Sequence, residues 1–478
     1  MSSPTQTQTP TPFGAPMKEH FLIDPNYRNL NHGSFGTYPT HLLTTQRTFQ
    51  IANESRPDIY IRYTQPSLLD NSRTALAKYL NTSVNEVILV RNATTGVNTI
   101  LHNLVLTKTL TDKDAVIYFE PVYGGVERSL LAIKEGWGVK LRKVKFTFPI
   151  SEEDLVKKFT DVVEGARRDG LTPRLAIFDT IVSNPGMRFP FEMFIKVCKE
   201  LGVLSLIDGA HGVGHMKLDL GKGGNLDGAD FWTSNCHKWL YTPRSCAVLY
   251  VPTRHQHLIR TSLPTSWGYN PPAPSSPSLA TVASSGTDGK YEELLPSVLP
   301  TGGKPPFVTL FEFTGTADDS AYVCIPEALK FRQEVCGGDE AIYNYIEELA
   351  GIAGEVVSAV LGTEILPPVS GEEKLGCGMV NVRLPVRVAS GQNRKEEGGY
   401  VVQAKDVSTL AHWFHEQLVE RGTFVPCFLH GEWFYTRLSA QVYLEKSDFE
   451  WLGAVFKEIL GGVEGFLRGL DLKVPAKL

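Results

Sequence analysis

Short apolar runs alternate with longer stretches of helical periodicity along the middle of this chain. The runs are of a length typical of strands buried on both faces, and they begin at Ala115, Arg174, Val203 and Ala247. Apolar side chains repeat at helical spacing in two other segments, at Val97, Ile100, Leu101, Leu104 and Val105, and at Phe191, Phe194, Ile195, Cys198 and Leu201. This strand and helix order predicts right-handed βαβ units, a mostly parallel sheet and the α/β class.

The remaining pattern divides the chain into a tail and two domains. Residues 1–18 are rich in Thr, Pro and Gln and are predicted to be a disordered tail. A large domain is expected at 63–319, with a Pro/Ser-rich insertion at 264–306 that has little to bury. A smaller α+β domain is expected at 320–478, where AIYNYIEELAGIAGEVVSAVL predicts a long helix, and the segment 19–62 is expected to join it.

Composition narrows the classes of function. The 478 residues carry a net charge of −5 without a basic tract, which argues against nucleic acid and anionic membranes as partners. The seven cysteines are odd in number and contain no Cys-x-x-Cys pair, so neither a disulfide framework nor a metal site is predicted. The first residues lack the apolar core of a signal peptide, and no run reaches the length of a membrane span. We therefore expect a cytoplasmic protein that acts on a small molecule.

Lys238 stands in the stretch NCHKW, among aromatic and aliphatic residues. A lysine in such surroundings has two interpretations. Its stem lies on an apolar surface with the ammonium in water, or the amine loses its charge on burial and becomes a nucleophile that forms a Schiff base. Asn235 and His237 flank this lysine and add polar groups to the same turn.

Ligands in open α/β sheets collect at the carboxyl ends of strands, beside helix N-termini. Thr94 and Thr95 lie at the N-terminus of the first predicted helix. They either cap this helix or, together with the free N–H groups of its first turn, bind a phosphate. Asp208 ends an apolar strand, where it accepts backbone hydrogen bonds or pairs with a protonated heterocyclic nitrogen. His211 follows as a structural or a catalytic histidine. The order of these groups is more specific than any one of them.

With these features in this order, the sequence resembles the fold-type I pyridoxal 5′-phosphate enzymes, in the class V aminotransferase and cysteine desulfurase-like branch. The resemblance runs from about Arg28 to Asp448. It implies a large domain with a mostly parallel, seven-stranded type of sheet and a smaller α+β domain. It also implies a homodimer, an amino acid substrate and pyridoxal 5′-phosphate as the cofactor.

The resemblance assigns a role to each candidate residue. Lys238 would form the Schiff base, and Asp208 would keep the pyridine nitrogen protonated. The residues implied to hold the phosphate are Thr94, Thr95, Asn235, His237 and, from a neighbouring subunit, Thr316. Those implied to contact the cofactor ring are Ser183, His211 and Tyr123, and those implied to bind substrate are Arg437, His32 and Ser34. Tyr123 is also the implied proton donor to a departing sulfur.

Within the family, NLNHGSFGTYP, YTQPSLLD, SNCHKW and RLSAQVYLE resemble the fungal-type C–S lyases of ergothioneine biosynthesis. Such a lyase cleaves the Cβ–S bond of hercynylcysteine sulfoxide and releases pyruvate and ammonia, and this is the reaction expected here. Because LNHGSFG also occurs in isopenicillin N epimerase-like proteins, an amino acid epimerase is the alternative. The aromatic cluster Trp433, Phe434 and Tyr435 either faces a cationic end of the substrate or belongs to the core or a dimer interface.

Two other functions can be weighed by the residues that each would require or lose. A cysteine desulfurase or desulfhydrase of the family is a further alternative, and Cys427 lies in the region of the desulfurase nucleophile. Its flanking residues differ from the glycine- and histidine-rich setting of that nucleophile, so Cys427 is predicted to be a buried structural thiol. A non-catalytic protein with this fold would be expected to lose Lys238, Asp208 or Arg437, and all three are present.

Overall fold

The computed structural model describes residues 9–269, 303–369, 374–390, 395–396 and 398–472. Its strands are β1 Val87–Val90, β2 Asp114–Phe119, β3 Lys140–Val144, β4 Thr172–Asp179, β5 Ile181–Val182, β6 Met187–Arg188, β7 Leu204–Asp208, β8 Phe231–Asn235, β9 Ala247–Tyr250, β10 Met379–Val388, β11 Lys395–Glu396, β12 Gly399–Val402, β13 Cys427–His430 and β14 Trp433–Ser439. Its α-helices are α1 Ala15–Lys18, α2 His32–Phe35, α3 Thr40–Ser55, α4 Pro57–Ile59, α5 Gln65–Tyr79, α6 Ala93–Leu106, α7 Gly124–Trp137, α8 Glu152–Arg168, α9 Phe191–Leu201, α10 Cys236–Trp239, α11 Pro306–Glu312, α12 Ser320–Val323, α13 Ile325–Glu334, α14 Asp339–Leu361, α15 Val407–Glu420 and α16 Lys446–Leu472.

The large domain is built on a seven-stranded sheet in the order β1-β9-β8-β7-β4-β2-β3. The pairs from β8 to β3 are parallel, whereas β9 is antiparallel to both β8 and β1. The four apolar runs of the sequence form β2, β4, β7 and β9. The predicted mostly parallel sheet and the α/β fold class are therefore confirmed.

Helices with the predicted apolar faces cover this sheet. On α6, Val97, Ile100 and Leu104 are completely buried, and on α9 the same holds for Phe191 and Phe194. Burial of each such side chain contributes about 1.5–3 kcal/mol of transfer free energy. The helical period is therefore sufficient to place α6 and α9 against the strands.

A second sheet forms the smaller domain, in the order β11-β12-β10-β14-β13. The predicted long helix is α14, and it packs against β10 and α16. Strand β14 carries the candidate residue Arg437 and pairs with β10 on one side and β13 on the other.

The N-terminal segment packs into the core of the smaller domain. Phe21, Leu30 and Leu42 share a hydrophobic cluster with residues of α14, β10 and α16. Order begins earlier than the predicted tail boundary at residue 18, and the prediction is wrong there: Met17 is completely buried, and the Gly14 N–H donates to the Val442 carbonyl oxygen at 2.8 Å. Apolar contact and backbone pairing hold residues that composition alone assigns to a tail.

Part of the predicted Pro/Ser-rich insertion, residues 270–302, lies outside the described residues, and so do residues 1–8 of the tail. The C-terminal end of the insertion leads directly into α11. Among the helices that the structure describes, none is both long and apolar enough to cross a membrane.

Candidate active site

The carboxyl ends of three neighbouring strands bring the candidate residues together. Asp208 ends β7, Asp179 ends β4 and Asn235 ends β8. Asp179 and Asp208 are register partners in parallel strands, so their side chains leave the sheet on the same face. Lys238 follows β8 on α10. The site therefore lies at the strand ends, where parallel sheets place ligands.

Lys238 is half-buried as a whole residue. Its Nζ lies 3.4 Å from His211 Nε2. Burial, and then the nearby Arg437 guanidinium, lower the pKa of Lys238 from 10.5 to about 7, against the opposite effect of Asp208 and Asp179. A large fraction of this amine is neutral at physiological pH, and the nucleophilic interpretation is thereby favoured over a solvated surface lysine.

Asp208 and Asp179 form a pair of buried carboxyl groups. The Ala210 N–H donates to Asp208 Oδ1 at 2.9 Å. Burial raises the pKa of both groups above 3.8, and the charge of Asp208 raises that of Asp179 further. The pair therefore retains a proton more strongly than an isolated aspartate, and a cationic ring nitrogen would balance its charge. Sequence reasoning missed Asp179, although it ends its apolar run just as Asp208 does.

The N-terminus of α6 lies beside the end of β8. The N-cap is Asn92, whose Oδ1 accepts from the Thr95 N–H at 2.8 Å, so capping does not fall to Thr94 or Thr95. Asn235 Oδ1 accepts from the Ala93 N–H at 2.8 Å and joins the strand to the helix. The Ala93 and Thr95 N–H groups are thus already engaged, and the exposed Thr94 is the residue of this turn whose N–H and hydroxyl are suited to a phosphate.

His237 and His211 are both held neutral. Burial lowers the pKa of His237 to about 4, and its Nδ1 donates to the Cys246 carbonyl oxygen at 2.9 Å. Burial and the charge of Lys238 lower the pKa of His211 well below 6.5. Trp239 Nε1 donates to His211 Nδ1 at 3.4 Å, so the proton of His211 resides on Nε2 and is donated to Ser183 Oγ at 2.8 Å. The hydroxyl of Ser183 keeps its own proton for a ligand.

Arg437 is buried, and no carboxylate among the described residues pairs with it. Its Nη2 donates to Asn31 Oδ1 at 2.7 Å and to Ser34 Oγ at 2.9 Å, and its Nη1 donates to the Ser183 carbonyl oxygen at 2.7 Å. Its Nε–H has no hydrogen-bond partner among the described residues. Burial lowers the pKa of Arg437 from 12.5 to about 10. A buried guanidinium in contact only with neutral groups is completed by an anionic ligand such as a carboxylate.

Besides Thr94, two of the predicted residues are exposed to solvent. Tyr123 begins the turn into α7, beyond the carboxyl end of β2, and is 51% exposed. Thr316 is exposed as well. Its contact with the phosphate bound to a second chain stays a prediction.

His32 and the aromatic cluster Trp433, Phe434 and Tyr435 are engaged with other parts of the protein. His32 is fully buried, with Nδ1 2.9 Å from Tyr443 Oη and Nε2 2.8 Å from the Lys238 carbonyl oxygen. Both ring nitrogens of His32 form hydrogen bonds to protein atoms. The structure therefore does not place His32 in direct contact with a substrate. Trp433 covers the Arg383 guanidinium at 4.5 Å, and Phe434 and Tyr435 are buried, which agrees with the core interpretation of that cluster.

The family model described as aminotransferase class-V matches residues 60–267. The L-cysteine desulfhydrase-like protein lolT1 of Epichloe uncinata is 37% identical over 94% of this chain and 96% of its own length. The chain belongs to the class-V aminotransferase family. This class-V protein is also 29% identical to hercynylcysteine sulfoxide lyase of Schizosaccharomyces pombe, over 93% of this chain and 97% of that one.

A solved structure shows the same fold. The class-V protein aligns with the cystine C-S lyase C-DES, in complex with its reaction product cysteine persulfide, at a TM-score of 0.64 and 18% identity, over 90% of this chain and 97% of that chain. The family consists of enzymes that use pyridoxal phosphate, so this class-V protein is a pyridoxal phosphate enzyme.

The residues of the site fit this cofactor. A largely neutral Lys238 amine suits attachment of an aldehyde, and the Asp179 and Asp208 pair suits a cationic ring nitrogen. The first turn of α6 suits a phosphate, and the unpartnered Nε of Arg437 suits the carboxylate of an amino acid. Within the described residues, no group of His, Cys, Asp and Glu could hold a metal ion.

Proposed function

We propose that this protein is a pyridoxal phosphate-dependent C–S lyase that cleaves the Cβ–S bond of a cysteine-derived sulfoxide, hercynylcysteine sulfoxide, in ergothioneine biosynthesis. The observation that carries the proposal is the pair of Lys238 and Arg437: an amine with a pKa of about 7 lies within electrostatic range of a buried guanidinium whose Nε–H has no hydrogen-bond partner among the described residues. Relatives named L-cysteine desulfhydrase-like protein and hercynylcysteine sulfoxide lyase support sulfur chemistry on a cysteine skeleton.

In this proposal each residue acts at a stated atom. Pyridoxal phosphate, when bound, supplies an electron-withdrawing ring that acidifies the α-carbon of the amino acid. Arg437 binds the substrate carboxylate, and Asp208 holds the proton of the ring nitrogen. The Lys238 amine removes the α-proton as general base. The Tyr123 hydroxyl donates its proton to the departing sulfur, and its exposure leaves room for the large sulfur substituent.

Cys427 separates a lyase from a desulfurase. Its side chain is buried, and burial raises the pKa of its thiol to about 12. A thiol that remains protonated at neutral pH is a poor nucleophile, so a persulfide on Cys427 is disfavoured. We therefore propose that sulfur leaves with the substrate fragment, with pyruvate and ammonia as the other products. The protein is proposed to work in the cytoplasm.

Pyruvate release from a panel of substrates tests the function. The purified holoenzyme is incubated with hercynylcysteine sulfoxide, L-cysteine or cystathionine, and we expect the highest kcat/KM with the sulfoxide. Preference for L-cysteine would keep the C–S lyase but reassign its substrate. Racemisation at the α-carbon without pyruvate would contradict the lyase and favour an epimerase.

The role of Tyr123 has its own test. Tyr123→Phe removes only the hydroxyl, so pyruvate release is expected to fall about 10²- to 10⁴-fold, which is the usual contribution of general acid catalysis. Exchange of solvent deuterium into the α-position should continue, because Lys238 performs that step. Tyr63→Phe, at another exposed tyrosine, is the matched control. Near-normal pyruvate release by Tyr123→Phe would exclude this hydroxyl as the acid.

A further inference from the structure

One short turn contacts both reactive ends of the site. This turn, defined as residues 31–36 and called the α2 turn, includes Asn31 and Ser34, which accept from Arg437. The same turn includes His32, whose Nε2 lies 2.8 Å from the Lys238 carbonyl oxygen. Arg437 belongs to the smaller domain and Lys238 to the large one, so the α2 turn bridges the two domains at the site.

The hydrogen bonds of His32 determine its tautomer. A carbonyl oxygen only accepts, so Nε2 must carry the proton that it donates to Lys238. Nδ1 then accepts from the Tyr443 hydroxyl at 2.9 Å, and Asn29 Nδ2 donates to that hydroxyl oxygen at 2.9 Å. Burial lowers the pKa of His32 to about 4, so the ring stays neutral in this tautomer at physiological pH.

The Lys238 carbonyl needs an outside donor because α10 stops at once. The helix has four residues, and Tyr241 follows in the left-handed region with φ 69°. The Thr242 N–H, which would bind the Lys238 carbonyl in a continuing helix, bonds to Cys236 at 3.3 Å instead. His32 supplies the missing donor, and Arg332 Nη1 does the same for the next carbonyl, that of Trp239, at 2.8 Å.

Close packing also restrains the backbone next to Lys238. Gly36 has φ 66°, and a Cβ at this position would overlap the carbonyl oxygen of His237. The peptide group after Lys238 is therefore held by a hydrogen bond from His32, while the one before it is packed against Gly36. Two restrained peptide groups restrict ψ and φ of Lys238, and these angles set the direction in which its side chain leaves the backbone.

We propose that His32 is a positioning residue that aims Lys238 through its Nε2–H, and that the α2 turn thereby keeps Lys238 and Arg437 in a fixed relation. The proposal rests on the proposed role of Lys238 as the residue that carries the cofactor. The residues of the α2 turn then have separate roles. His32 orients the Lys238 amine, whereas Asn31 and Ser34 orient the Arg437 guanidinium.

Two substitutions of His32 separate the two ring nitrogens. The amide nitrogen of Gln reaches the position of Nε2, and that of Asn reaches the position of Nδ1, so His32→Gln keeps the donor to Lys238 and His32→Asn loses it. Pyridoxal phosphate is added to each cofactor-free protein, and attachment to Lys238 is followed by absorbance, then by borohydride reduction and peptide mapping. Thermal unfolding of the cofactor-free proteins reports any general loss of stability.

We expect His32→Gln to attach the cofactor within about threefold of the wild-type rate, and His32→Asn to be slower by about 10- to 100-fold, the usual effect of a misplaced reactive group. Both variants should unfold within a few degrees of each other. A wild-type rate in His32→Asn, or equal slowing in both variants, would overturn the proposal. Cofactor attachment of wild-type protein at another lysine would instead overturn the proposed role of Lys238.

Asn31→Ala tests the proposed role of the α2 turn in orienting Arg437. This test does not depend on whether His32→Asn folds. It removes an acceptor of Arg437, so KM for L-cysteine should rise while the rate of cofactor attachment stays close to that of wild type. Slower attachment in Asn31→Ala would contradict the separation of tasks within the α2 turn.

Discussion

At the scale of single residues, the charge balance around Lys238 can be tested by two substitutions of opposite effect. Arg437 lowers the pKa of Lys238, and Asp208 raises it. In the cofactor-free protein, Arg437→Gln is therefore expected to raise this pKa by about one unit, and Asp208→Asn to lower it by about one unit. The pH dependence of Lys238 labelling by an amine reagent, followed by mass mapping, measures both. Movement in the same direction would contradict this electrostatic account.

Cys427 offers a second test at the same scale. Because its thiol is buried and its pKa is raised to about 12, Cys427→Ala should keep pyruvate release within about threefold of wild type. A loss of about 1 kcal/mol in the free energy of unfolding is expected from the missing side chain. Intact mass after incubation with L-cysteine should reveal no persulfide on this residue in the wild-type protein. A persulfide there would favour a desulfurase.

At the scale of elements, the N-terminal end of α6, where we propose that the phosphate binds, depends on a close approach to β8. A Cβ on Gly96 would overlap the Thr233 side chain, whose Oγ1 is engaged with the Val248 carbonyl oxygen at 2.9 Å. Gly96→Ala is therefore expected to displace the first turn of α6, weaken pyridoxal phosphate binding and cost about 1–3 kcal/mol of stability.

Gly136, an exposed residue of α7 with open space around it, is the matched control for Gly96. Gly136→Ala should stabilise the protein by about 0.5–1 kcal/mol and leave cofactor binding unchanged, because alanine favours a helix where space allows it. Cofactor titration and denaturant unfolding measure both effects. Equal loss of cofactor affinity in the two variants would show that the contact with β8 is not the cause.

At the scale of the whole molecule, we predict a homodimer in which Thr316 of one chain completes the phosphate site of the other. Lys238→Ala removes the cofactor attachment, and Thr316→Val weakens phosphate binding. In a mixed dimer of these two variants, one site would combine an intact Lys238 with an intact Thr316. Mixing the variants should therefore restore a tight cofactor site that neither has alone. Absence of such recovery in proven heterodimers, or a monomer in sedimentation, would contradict the prediction.

Four of the seven strands of the large sheet, two of its helices and several candidate groups could be predicted from the sequence. Continuous apolar runs and a period of 3.6 residues are local properties, and they predict β2, β4, β7, β9, α6 and α9. The position of Asp208 at a strand end follows from the same pattern, whereas β8, the strand before Lys238, was not among the predicted strands. Resemblance to a known family added their roles and the cofactor.

Only the tertiary structure decided which groups face one another. Asp179 lies beside Asp208 because β4 and β7 pair in register, and Asn31 reaches Arg437 because the N-terminal segment packs into the smaller domain. His32 resembled a substrate contact in the sequence, yet domain packing directs its ring to the backbone of Lys238. Contacts between residues hundreds of positions apart depend on sheet register and on the docking of one domain against another, and no local periodicity encodes them.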